Sequence, residues 1–172
     1  MQNTGTCIKI SHDVDKAIIR IGNALAWLNG ILLILIILQV IMRYVFSYSI
    51  VALDEMQWHL YSVNVMFGLS YAVANNSNIR LDVISRKFSP RRRAKIEIVL
   101  GLLLTIPAVI VISMHGWDFF YSSWKIGESS VAPLGLPYRW IVKSFIPIGF
   151  IFLGIAIIGR MLRDFSLLAE KE

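Results

Sequence analysis

The chain has 172 residues, 56% of them hydrophobic, with 17 Lys and Arg against 11 Asp and Glu and a formal net charge of +6. A mean hydropathy of +0.65 is too high for an ordinary soluble domain, and the basic surplus sits at the ends of apolar runs, which argues against a nucleic-acid-binding protein. A single cysteine, Cys7, excludes an internal disulfide and says little about compartment.

Residues 1–20 form a polar tail. From Ile10 onward, Ile10, Val14, Ala17, Ile18 and Ile21 share one helical face, with His12, Asp13, Lys16 and Arg20 largely elsewhere. Two readings fit: a short amphipathic helix at the membrane surface, or a plain extension of the first span. A cleaved signal peptide is not expected. The apolar run that follows, Ile21 to Met42, is longer than a signal h-region and is followed by no small-residue cleavage site.

That run of 22 residues is the first expected span, about 33 Å of helix against a hydrocarbon core of about 30 Å. Gly22, Ala26 and Gly30 recur every fourth position, a spacing that lets helix backbones approach closely in lipid. Arg43 closes the span, and Asp54 and Glu55 open the next, where the helix dipole favours negative charge. Arg43 and these carboxylates belong to the same membrane face, so either an ion pair joins them or each is separately solvated. In the second span Glu55, His59, Ser62, Met66 and Ser70 make a mildly polar stripe, which is expected to face protein because hydroxyls and imidazoles need partners in hydrocarbon.

Asn75 to Lys95 is a basic connector holding seven of the 17 Lys and Arg. The third span starts near Ile98 and contains Pro107, which removes a backbone donor and predicts a kink. Trp117, Phe120, Tyr121 and Trp124 follow at helical spacing and suggest a helix that runs on to headgroup level. A loop from Lys125 to Tyr138, punctuated by Gly127, Pro133, Gly135 and Pro137, leads to a fourth span flanked by Lys143 and Arg160. The expected architecture is therefore all-α and integral to a membrane. It has four transmembrane helices near residues 21–42, 55–74, 98–117 and 140–160, in one domain. With both termini cytoplasmic, thirteen Lys and Arg lie inside against four outside, which is the arrangement the positive-inside rule selects.

Chemistry is sparse. There is no Gly-rich phosphate loop, no Cys/His metal spacing, no recognisable nucleophile set and no acid or base at mid-membrane. The one constellation is His59 with His115, placed at matching depth on the second and third spans; two such imidazoles on neighbouring helices could ligate a haem. That supports one alternative, a haem-binding membrane anchor of a respiratory dehydrogenase. A small self-assembling carrier is a further alternative, against which the missing mid-membrane charge counts.

Four local features together resemble the small membrane subunit of tripartite ATP-independent periplasmic (TRAP) transporters. They are Arg43-Tyr44-Val45-Phe46 followed by Ser49, Asp54-Glu55 and Trp58; Asn78-Ile79-Arg80-Leu81-Asp82; Leu134-Gly135-Leu136-Pro137 with Trp140; and Pro147-Ile148-Gly149. The resemblance covers roughly residues 20–160. One departure is that Ala52-Leu53 stands where family members often carry a Trp. The resemblance implies a non-catalytic scaffold without cofactor, set beside a large transmembrane subunit in the bacterial inner membrane. That subunit would import, with sodium, an organic acid or sugar acid delivered by a periplasmic binding protein. It implies that Arg43, Asp54, Glu55, Trp58, Gly135 and Pro137 shape outer contacts, that Arg80 and Asp82 organise the cytoplasmic turn, and that Pro147 is structural. Neither the substrate nor the oligomeric state is fixed by this chain's residues.

Overall fold

Proline-free sequence rich in Ala, Leu and Ile runs through the first 45 residues, and it forms one uninterrupted helix, α1 (Gln2–Val45). The computed structural model describes residues 2–75 and 88–169. At 44 residues, α1 is about 66 Å long. The N-terminal stretch is thus an extension of the first helix and not a separate surface helix. The reason is packing: Ser11, Asp15 and Ile18 are buried, the Ser11 hydroxyl donates to the Gly159 carbonyl at 2.7 Å, and Asp15 pairs with Arg163. The buried face is rotated from the one the periodicity suggested, leaving Ala17 and Ile21 exposed.

The first helix ends where the Phe46 and Tyr48 N–H groups both donate to the Met42 carbonyl, at 3.2 and 3.1 Å, with Ser47 at φ +53°. A short turn leads into α2 (Val51–Ala74), which returns along α1; Gln57 Nε2 donates to the Leu35 carbonyl at 3.4 Å. Helix α3 (Pro90–Leu100) starts from Ser89, whose side chain accepts the Arg92 N–H, with Pro90 in the first turn, where its missing N–H costs nothing. One π-helical turn, Gly101–Thr105, joins it to α4 (Ile106–Lys125). That turn sits directly before Pro107. The widened ladder, in which Ile106 N–H reaches back to Gly101, is how the helix absorbs the donor that proline lacks. The aromatic residues Trp117 and Phe120, with ring centroids 5.5 Å apart, lie in the continuation of α4 that the sequence anticipated.

The last helix, α5 (Trp140–Ala169), is the hub: α1, α2, α3 and α4 all pack against it, α1 also packs on α2, and α2 and α4 share at most a marginal contact. Pro147 is fully buried within α5. The polar stripe of α2 does face protein, since Ser70 is 1% exposed and its hydroxyl lies 3.4 Å from the Gly149 carbonyl. Among the described residues three stretches are long and apolar enough to cross a membrane, Ser11–Val45, Arg91–Lys125 and Trp140–Leu168. Helix α2, at 24 residues, is about 36 Å long, but Asp54, Glu55, Gln57, His59 and Asn64 make it more polar than the other three.

Gly149 is required by close approach, because a Cβ there would stand 2.8 Å from Met66 Cβ. Replacing Gly149 with Leu is expected to cost about 1–3 kcal/mol, read as a lowered thermal midpoint in detergent. Gly30→Ala, at a site with nothing within 4 Å, is expected to leave the midpoint unchanged or slightly raised.

Candidate functional site

A glutamate in the first turns of α2 holds the loop between α4 and α5. Glu55 Oε2 accepts the Leu136 N–H at 2.6 Å, and Oε1 accepts the Ser130 hydroxyl. The loop is folded on itself by hydrogen bonds from Ser130 N–H to the Leu136 carbonyl (3.1 Å) and from Gly135 N–H to the Ala132 carbonyl (3.0 Å). Gly135 makes the clasp sterically feasible: a Cβ there would lie 2.5 Å from Ser130 and 2.9 Å from Glu55 Oε2. Leu134 and Tyr138 both adopt φ +61°, an uncommon conformation for non-glycine residues, so the loop is bent by its contacts and not by intrinsic preference.

The far side of the loop is pinned separately. The Glu128 carboxylate receives the Ser123 hydroxyl and Lys143 Nζ, and its carbonyl accepts the Arg139 N–H at 2.9 Å. The hydrogen bond from Lys143, then that from Ser123, holds the Glu128 carboxyl below its ordinary range. Lys143 Nζ also sits 4.0 Å from the centre of the Phe119 ring. Between these two attachments the loop turns its apolar tip outward, with Val131 94% and Leu134 88% exposed.

The structure joins Glu55 and Gly135 in one contact and leaves Pro137 exposed beside it. Asp54 faces another way, lining an open groove of about 480 Å³ with Leu32, Ile36, Gln57, Trp58 and Tyr61. Trp58 is 68% exposed and meets Tyr61 edge-on at 6.3 Å. Arg43 is exposed and forms no ion pair with Asp54 or Glu55, because Glu55 is taken by the loop. Arg80 and Asp82 lie outside the described residues. The helices carrying the two histidines are not close neighbours: α5 packs extensively on both α2 and α4, which share at most a marginal contact with one another. His115 is exposed, with Nδ1 3.1 Å from its own helix's Val111 carbonyl.

Sequence reasoning missed Ser130 and Glu128, which stand in an aperiodic loop and carry no spacing signal. It also missed an ionic cluster at the opposite end of the bundle. There Arg160 Nη2 meets Glu97 Oε2 at 2.5 Å, Arg93 Nε meets Glu97 Oε1 at 3.3 Å, and Arg163 meets Asp15.

Residues 32–167, which include the whole clasp, match the family model of the DctQ component of tripartite ATP-independent periplasmic transporters. The chain belongs to this family. A comparison with individually curated proteins gives no match. As a DctQ component the chain is a non-catalytic, multi-pass membrane subunit of a TRAP transporter, a family whose partners are a large membrane subunit and a periplasmic binding protein. The docking of Ser11 and Asp15 on α5 lies before the matched residues.

Two measurements test the clasp. Glu55→Ala is expected to speed amide exchange at Leu136 and protease cleavage within residues 126–139, with helix content unchanged. Because the Glu128 carboxyl is held below its ordinary value of 4.5, its contribution is fully present above that pH and lost as the pH falls through the lowered value. Loop protection is therefore expected to stay constant from neutral pH down to 4.5 and to fall only at more acid pH, and Glu128→Gln should reduce that dependence to the part that the Glu55 carboxylate carries.

Proposed function

We propose that this DctQ component is the fixed four-helix scaffold of a sodium-coupled importer in the bacterial cytoplasmic membrane. In this reading α2 is the fourth span, the chain is one domain, both termini are cytoplasmic, and the loop between α4 and α5 faces the periplasm. The excess of Lys and Arg on the proposed inner side, thirteen against four, supports this orientation. The large subunit carries an organic acid or sugar acid inward, and the binding protein delivers it.

The observation that carries the reading is the Glu55 clasp. A carboxylate of one helix and a lysine-bound carboxylate of the loop hold an apolar tip rigidly away from the bundle. Exposed apolar side chains on an immobilised loop suit contact with another protein, because little conformational freedom is left to lose on binding. Glu55, Gly135 and Pro137 would set the shape of that surface. Arg43, Asp54 and Trp58 would extend it around the same end of the bundle. Arg80 and Asp82 would order the turn at the other end, and Pro147 would fix the packing of α5. Membrane lipids cover the rest of the apolar exterior.

Affinity purification of the chain from its native membrane in mild detergent, with mass spectrometry of what accompanies it, tests the scaffold role; recovery without a larger polytopic protein would overturn it. Leu134→Asp is expected to lower solute uptake at least several-fold without changing recovery of the large subunit. Unchanged uptake would remove the loop tip from the delivery step.

A further inference from the structure

The register of α1 against α2 sets carboxamides side by side. Gln57 Nε2 donates to the Leu35 carbonyl and Gly22 lies against the Tyr71 ring, so in this antiparallel pair Asn29 stands level with Asn64. Both line a lateral groove of about 260 Å³, together with Asn23, over a floor that includes Gly22, Ala26 and Gly68. A Cβ on Gly68 would meet nothing within 4 Å. The groove is open.

Its chemistry does not suit lipid. Asn29 stands eight residues inside the apolar run Ile21 to Met42, about 12 Å of helix from its start. Asn23 and Asn29 are exposed and have no hydrogen-bond partner among the described residues. Asn64 has an internal bond, from Nδ2 to the Leu60 carbonyl at 3.0 Å. An acyl chain offers an amide neither donor nor acceptor, so the uncompensated Asn29 opposes lipid coverage. What fits is a helix that approaches closely over small residues and carries a group that both donates and accepts. Among the described residues no helix of this chain lines the groove besides α1 and α2.

We propose that a transmembrane helix of the large subunit seats in this groove, presenting a Ser, Thr, Asn or Gln side chain to Asn29 and Asn64. The proposal rests on the reading that the chain works beside such a subunit. It assigns the face of the scaffold that meets the partner within the membrane, distinct from the loop tip at the end of the bundle.

The test uses the full chain co-expressed with its large subunit. The double variant Asn29→Leu with Asn64→Leu keeps side-chain size and gains apolarity, and circular dichroism checks that its helix content is retained. It is expected to weaken association with the large subunit about tenfold, as the loss of one or two interhelical hydrogen bonds implies. In a Cys7→Ser background, Asn29→Cys is expected to crosslink to the large subunit through a short bifunctional reagent. Unchanged association of the double variant, no crosslink, or a crosslink to a second copy of this chain would overturn the proposal. If the unaltered chain recovers no large subunit, the scaffold reading fails and the proposal with it. If it recovers the subunit and only the variants behave as wild type, this proposal alone fails.

Discussion

Close approach is the constraint on which this bundle depends. In lipid, burying an apolar side chain against another gains little over burying it against acyl chains, so helices must fit tightly to stay together. Helix α5 achieves this with three different neighbours. Gly149 faces Met66 of α2, Gly154 faces Val109 of α4, and Gly159 faces Val14 of α1. The three glycines are spaced five residues apart; at about 100° per residue, each step turns about 140° around the helix. One helix thereby offers a bare strip of backbone in three directions, and three helices can surround it. Ala156, fully buried between the later two glycines, extends the same surface.

Charge finishes what packing starts, and it does so at the ends. Lys143 near the start of α5 binds Glu128, while Arg160 and Arg163 near its end bind Glu97 and Asp15. These basic residues also flank an apolar stretch, which is what a topological anchor requires. The two roles are compatible because a partly exposed pair at a helix end avoids most of the desolvation that a mid-membrane charge would suffer. The consequence is mechanical: α5 is fixed to the loop at one end and to α1 and α3 at the other, so neither end can slide without breaking an ion pair.

Much of this was legible in the residues because it follows from runs and periods. Charge-free stretches located the helices, the stripe ending at Ser70 identified the buried face of α2, and Pro107 marked the irregularity in the third span. The N-terminal face was harder: Val14 and Ile18 of the apolar face do pack inward, but the buried positions also include Ser11 and Asp15, and the apolar periodicity does not mark those. Their burial depends on Gly159 and Arg163, roughly 150 residues away, and no local pattern encodes that pairing. The clasp was half legible. Glu55 and Gly135 stood out by their neighbours in sequence, but their contact is made through Ser130 and the backbone of Leu136 in a loop without period. For Arg43 the sequence leaves open an ion pair or separate solvation, because sharing a membrane face does not by itself decide partners.

The composition of α2 makes sense once both its sides are considered. It carries Asp54, Glu55, Gln57, His59 and Asn64, and two helices of the bundle pack on it: Ser70 and Met66 rest on α5, and Gln57 reaches α1. On the other side Asn64 stands beside Asn29 in an open groove. A helix surrounded by lipid on that side would be expected to shed such groups, because acyl chains cannot bond them. A helix with protein on both sides has reason to keep them. Asn64, like Asn29 beside it, is therefore better matched to an assembled transporter than to an isolated subunit surrounded by lipid.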